Sequence, residues 1–287
     1  MKDLTRFLIT VLLFNMIISC TERIDIDLDE SSVRLVVEGE VTTDKMAHKV
    51  VLTKTTSYYY DQESPPVTGA SVSIAAGERN IQLYEKEDGV YYTDSTFYGL
   101  EELTYTLNIT LATPVGGHTE YLASSYMNHA VRIDSADLVF HPEWSDSGFY
   151  EVRCYLKDPP TDDFYRWLIY RNGNLLSDTL DEWFVTDDRF FNGSYLNGAT
   201  VSFLDQGSEN EKLEAGDEIT LELNCVGRDY AGFLWEAQSE LMGSNPLFSG
   251  PPANVKGNIT NGAIGFFAAY STSRSSIKVG SKGSGKQ

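Results

Sequence analysis

Four histidines, three cysteines and 42 acidic side chains are the groups in this 287-residue chain that could do chemistry. His48, His118, His129 and His141 are scattered, with no H-E-x-x-H and no second histidine at ligand spacing, so zinc is not expected. No G-x-S-x-G elbow is present to seat a serine nucleophile. Cys154 and Cys225 fall on the apolar sides of their segments, where a thiol has no base beside it. Any two of so many carboxylates could approach glycosidase distance, and their abundance makes such a pair uninformative. Asp25, Asp27 and Asp29 alternate like the start of a calcium loop but lack the glycine and distal glutamate of an EF-hand. Gly280 to Lys286 imitates a phosphate loop, with Gln287 where Ser or Thr is required. The expectation is a chain with no catalytic residue, no metal and no cofactor.

Cys20 is the exception. Lys2 and Arg6 open the chain, Phe7 to Ile18 form an apolar run, and small Ser19 stands directly before the cysteine. A basic start, a short apolar run and a small residue at the cut describe a secretory signal. At roughly 12 residues the run is shorter than the about 20 that span a bilayer. The arrangement resembles a bacterial lipobox, in which the cysteine thiol is acylated and becomes the mature N-terminus; an ordinary signal peptide is the alternative. Residues 1–19 are then the signal and 20–32 an acidic tether, with the protein held to the cell outer membrane through lipid on Cys20. The formal charge of −20 excludes nucleic acid as a partner.

What must position any contact surface is β structure. From Arg34, short runs rich in Val, Ile, Thr and Tyr recur every 8–14 residues between Gly, Pro, Asn and Asp punctuation. That spacing predicts an all-β fold of two antiparallel β-sandwich domains, over residues 33–126 and 131–279. In the second, Val152, Cys154 and Leu156 share one side of a strand. So do Ile219, Leu221, Leu223 and Cys225, with Thr220, Glu222 and Asn224 opposite. The order Cys154, Trp167, Cys225 echoes the immunoglobulin pattern, but Leu223 stands where a tyrosine corner is expected. A Cys154–Cys225 disulfide and two buried thiols both remain open. One amphipathic helix is predicted over 229–242, capped by Asp229, with Tyr230, Phe233, Leu234, Ala237 and Leu241 as its apolar stripe. An apolar strand from Ala263 to Tyr270, a separate last strand SSIKV and a flexible tail over 280–287 follow.

The segment PVTGASVSI (66–74), followed by Asp88-Gly89-Val90-Tyr91 and LTYTL (103–107), resembles carboxypeptidase-regulatory-like and transthyretin-like β-sandwich modules, which implies a seven-strand Ig-like first domain, and the expectation is two Ig-like antiparallel β-sandwich domains. The lipobox, the early LVVEG strand, PVTGASVSI and above all PPANVKGNITNGAIGFFAAYS resemble the Bacteroidota cell-envelope lipoproteins grouped as domain of unknown function 4249. That resemblance implies an envelope lipoprotein, often encoded near TonB-dependent outer-membrane receptors, and brings no catalytic residues with it.

Aromatics in polar surroundings mark the expected contact surface for a glycan, peptide or protein ligand. Tyr58, Tyr59 and Tyr60 precede a Pro-bearing loop, and Trp183-Phe184 with Phe190-Phe191 flank Asp187 and Asp188. Ser95, Ser135 and Thr179 sit in three-residue patterns of the kind O-glycosylated in this phylum. The leading expectation is a non-enzymatic outer-membrane lipoprotein, accessory to a TonB-dependent uptake system. An adhesin or envelope-organising protein is second, and a glycan-active enzyme a distant third.

Overall fold

Alternation of buried and exposed side chains builds most of the molecule. A computed structural model of the chain describes residues 33–56, 63–243 and 255–280. Cys20 with the whole 1–32 segment, Tyr58, Tyr59, Tyr60 and the tail beyond residue 280 lie outside the described residues.

The first seven strands are β1 (Leu35–Thr42), β2 (Lys49–Lys54), β3 (Ser71–Ala76), β4 (Arg79–Glu87), β5 (Val90–Tyr92), β6 (Leu103–Val115) and β7 (His118–Met127). They lie in the order β1-β2-β5-β4-β3-β6-β7, antiparallel throughout. All seven feed one core, among them Leu35, Val37, Leu52, Ile74, Leu83, Tyr91, Leu107 and Met127. The PVTGA turn is pinned by Tyr91, whose hydroxyl accepts from the Ala70 amide at 2.9 Å and donates to the Val67 carbonyl at 2.9 Å.

The next strands are β8 (Ile133–His141), β9 (Phe149–Lys157), β10 (Phe164–Arg171), β11 (Asn174–Leu175), β12 (Phe184–Asp187), β13 (Tyr195–Asp205) and β14 (Glu218–Val226). Helix α1 (Arg228–Gly243) and β15 (Ile264–Lys278) complete the described fold. A three-stranded sheet, β13-β9-β8, shares a second core with β10 and β14. Val152, Cys154 and Leu156 meet Ile219, Leu221, Leu223 and Cys225 there, as their alternation requires. Both thiols are free and buried, and burial pushes each up to about 12. On the opposite face of β10 and β14, α1 closes a third cluster through Ala231 and Leu234.

Three sequence expectations change. The helix begins at Arg228, so Asp229 lies inside its first turn, where its charge favours the N-terminal end, and Leu241 is exposed. The apolar run from Ala263 and the SSIKV strand are one 15-residue strand, because polar Ser271 to Ser275 pair with Cys225 to Leu221 of β14. That strand also crosses the boundary expected near residue 128. Its first half, Ile264 to Tyr270, runs parallel to β1, and its second half runs antiparallel to β14. Phe267 and Ala269 therefore complete the core of the N-terminal strands, and Val33 onward is one compact unit.

Candidate functional site

Strand β10 turns Tyr165, Trp167 and Ile169 into the second core, so alternation sends Arg166 to the face beneath α1. Only 3 % of Arg166 is exposed. Each of its three guanidinium nitrogens has a partner: Nε donates to Asn224 Oδ1 at 2.9 Å, Nη1 to the Tyr230 hydroxyl at 3.2 Å and Nη2 to the Tyr270 hydroxyl at 2.7 Å. It stacks 4.6 Å from the Trp183 ring centre and 4.8 Å from that of Tyr270. Burial pushes both the Tyr230 and Tyr270 phenols up, so each stays neutral and can accept from Arg166. Tyr270 donates onward to the Glu40 carboxylate, which also lies 4.0 Å from Arg166 Nη2. On the other side, Asn224 donates to Glu222 at 2.9 Å. Glu222 accepts from Arg274 at 2.7 Å, and Arg274 forks onto Asp44 at 2.9 and 2.5 Å. A continuous polar chain thus runs from the β1–β2 turn to Glu40, buried at Glu222, Asn224, Arg166 and Tyr270 and open to solvent at both ends. A polar group this deep is costly unless every member is satisfied, and here they are.

Glu40 opens onto a groove of about 410 Å³ between the outer face of β1 and α1. Phe233, Tyr230 and Ala237 of the helix form one wall, and Trp183 and Phe266 form its aromatic floor. Val36, Glu38 and Glu40 occupy alternate positions of β1 on the opposite wall, and Lys49 is the one basic residue of the lining among the described residues. Glu40 keeps 46 % of its side chain exposed while Tyr270 fixes its orientation. Concave, mostly apolar space with a few fixed polar groups is the form of a small-ligand site. The half-exposed Glu40 carboxylate, with Glu38 two positions before it, can accept from an ammonium or other hydrogen-bond donor carried on an apolar body.

Of the aromatics singled out by sequence, Trp183 is in this groove, its indole N–H donating to the Ser177 carbonyl at 3.0 Å. Phe184 is exposed on the next position of β12. Phe190 is exposed as well, whereas Phe191 stacks on Tyr165 and packs against the second core. Ser95, Ser135 and Thr179 are all exposed. Arg166 and Glu40 were missed. An arginine within a strand reads as solvent-facing, and only the alternation of β10 against a covered second face signals otherwise.

A second constellation was invisible in the sequence. Asp158, Asp163 and Asp188 are buried, with carboxylate oxygens within 4.8 Å of one another. Asp158 accepts from the Tyr165 hydroxyl at 2.5 Å and the Gly193 amide at 2.9 Å, Asp163 from Thr161 at 2.7 Å, and Asp188 from the Asp163 amide at 3.0 Å. Burial raises the pKa of Asp158 and Asp188, which favours their protonated forms. These three could ligate a hard cation, yet protein donors already occupy each of them.

The C-terminal signature organises the junction beside the groove. Gly265 has φ +98°, and a Cβ there would lie 2.0 Å from the Val37 carbonyl oxygen; one on Gly257 would lie 1.8 Å from that of Gly265. Three backbones therefore stack where β15 joins β1, and glycine is required at both positions. Asn258 and Asn261 tie the same loop to β7 through the Ser124 and Glu120 carbonyls. Residues 21–276 match the family described as Domain of unknown function (DUF4249). The chain belongs to this family. No curated protein matches it. In this DUF4249 member, the GNITNGAIG stretch is thus the clamp that joins the strand of the groove floor to β1 and β7 of the N-terminal half.

Proposed function

We propose that the protein is a non-enzymatic lipoprotein of the cell outer membrane, anchored through Cys20, that binds a ligand in the Glu40–Trp183 groove as an accessory to a TonB-dependent uptake system. The observation that supports the binding role most is Glu40, a carboxylate held by the buried Tyr270–Arg166 pair at the mouth of an aromatic groove. Preorganisation of this kind lowers the cost of binding. In this reading the two halves of the fold are Ig-like modules, the first of carboxypeptidase-regulatory-like type. Tyr105 supports it by bonding back to the Leu100 amide and carbonyl at 2.5 and 2.9 Å, as a tyrosine corner does. In this reading acylation of Cys20 supplies the anchoring; among the described residues no helix is long and apolar enough to cross a membrane.

Two measurements test the proposal. Cys20→Ala protein should leave the membrane fraction after a carbonate wash, and its retention would overturn the anchor. Purification of the full-length protein from detergent-solubilised outer membrane should bring down a plug-bearing β-barrel receptor. Recovery without any receptor would overturn the uptake role and favour the adhesin reading.

A further inference from the structure

The three-stranded sheet β13-β9-β8 has an outer face, turned away from Val152, Cys154 and Leu156, on which an aromatic stack is built. Its base is Glu151, 6 % exposed, which accepts from Arg153 at 2.5 Å, from the Thr200 hydroxyl, and lies 2.9 Å from His141 Nε2. His141 is thereby fixed. Trp144, carried by the β8–β9 turn, lies parallel on it at 3.8 Å and 7°. Phe203 meets the indole edge-on at 5.3 Å and 65°. The turn itself is braced, with the Ser145 hydroxyl accepting from the Gly148 amide at 2.9 Å. Trp144 and Phe203 are nevertheless each 48 % exposed. The covered face of the indole is spent on His141, which leaves its opposite face presented to solvent in a fixed orientation.

We infer that the Trp144 face is a binding platform for neutral carbohydrate, independent of the groove. A flat, electron-rich ring face takes the C–H face of a pyranose, and Arg153, with guanidinium N–H groups not used on Glu151, lies on the same side of β9 to donate to hydroxyls. Three physical arguments select this partner. A stable protein interface needs about 800 Å² per side, far beyond one indole and one phenyl, whereas a sugar ring needs a single face. A quaternary-ammonium cage converges several ring faces on one point, and here a single indole face is offered, with Phe203 edge-on to it. Acidic sugars are disfavoured because Glu143, exposed and 3.4 Å from His141 Nδ1, adds negative charge beside Glu151.

The test uses the purified full-length protein and neutral malto-, cello-, xylo-, manno- and chito-oligosaccharides at millimolar concentration, read by calorimetry. At least one series binds, and its affinity does not change with added salt. Trp144→Ala weakens it about tenfold or more, Phe203→Ala less, and the groove variant Trp183→Ala not at all, with unchanged circular dichroism. Absence of binding by every series overturns the inference. So does Trp144→Ala protein that binds as wild type, or equal loss in Trp183→Ala.

Discussion

The Asn258 carboxamide makes both backbone hydrogen bonds of Phe267, accepting from its amide at 2.9 Å and donating to its carbonyl at 2.8 Å. One side chain thus stands in for a neighbouring strand at the point where β15 enters the N-terminal core. Asn258→Ala leaves both groups of Phe267 without these partners and should cost about 1–3 kcal/mol. Asn258→Asp keeps the acceptor and should cost less at acid pH than at neutral pH. Thermal unfolding checks both, with about 2–4 °C expected per kcal/mol in a chain of this size.

Arg166 holds the groove together from beneath. Arg166→Met strands the Tyr270 and Asn224 groups that it satisfies, and should destabilise by about 3–5 kcal/mol. Tyr270→Phe removes only the link to Glu40 and one Arg166 bond, for about 1–2 kcal/mol. Chemical denaturation of the two variants and the wild type gives the ordering.

Glu151 supplies a pH signature. Hydrogen bonds from Arg153, then Thr200 and His141, hold its carboxyl at about 2, below an ordinary 4.5. A depressed carboxylate stabilises the fold fully above the unfolded value and loses that contribution as pH falls from 4.5 toward 2. The stability difference between wild type and Glu151→Gln should therefore shrink across that window. Asp158 and Asp188 are raised and act oppositely, so the difference between the two proteins, not either curve alone, is the quantity to measure.

The thiols give a direct check on the second core. Cys154 and Cys225 are buried, free and pushed up to about 12, so an aromatic disulfide reagent at neutral pH should react with neither in the native state and with both after denaturation. Rapid native reaction of either would contradict the packing of β9 on β14.

The strands were legible wherever one face meets a core: Ile219, Leu221, Leu223 and Cys225 announced theirs by period two. The helix was legible from its spacing, and Trp183, singled out by its polar surroundings, lines the groove. Arg166 was not, because alternation tells which residues share a face but not whether α1 covers it. The β1–β15 pairing was also hidden, since nothing local to Val36 points to Ile264, its partner 228 positions on. Asp158, Asp163 and Asp188 meet only through the packing of β10 and β12, which no local spacing encodes.

The central claim is that the groove at Glu40 binds a cationic or donor-bearing ligand with an apolar body. Calorimetric titration of the full-length protein with phenethylammonium, against phenylacetate as the anionic control, tests it most directly. The account predicts saturable binding of the ammonium, none of the carboxylate, and affinity about tenfold or more weaker in Glu40→Gln, as loss of a charge-assisted contact requires. Equal binding of both probes, no binding of either, or Glu40→Gln protein indistinguishable from wild type would contradict it.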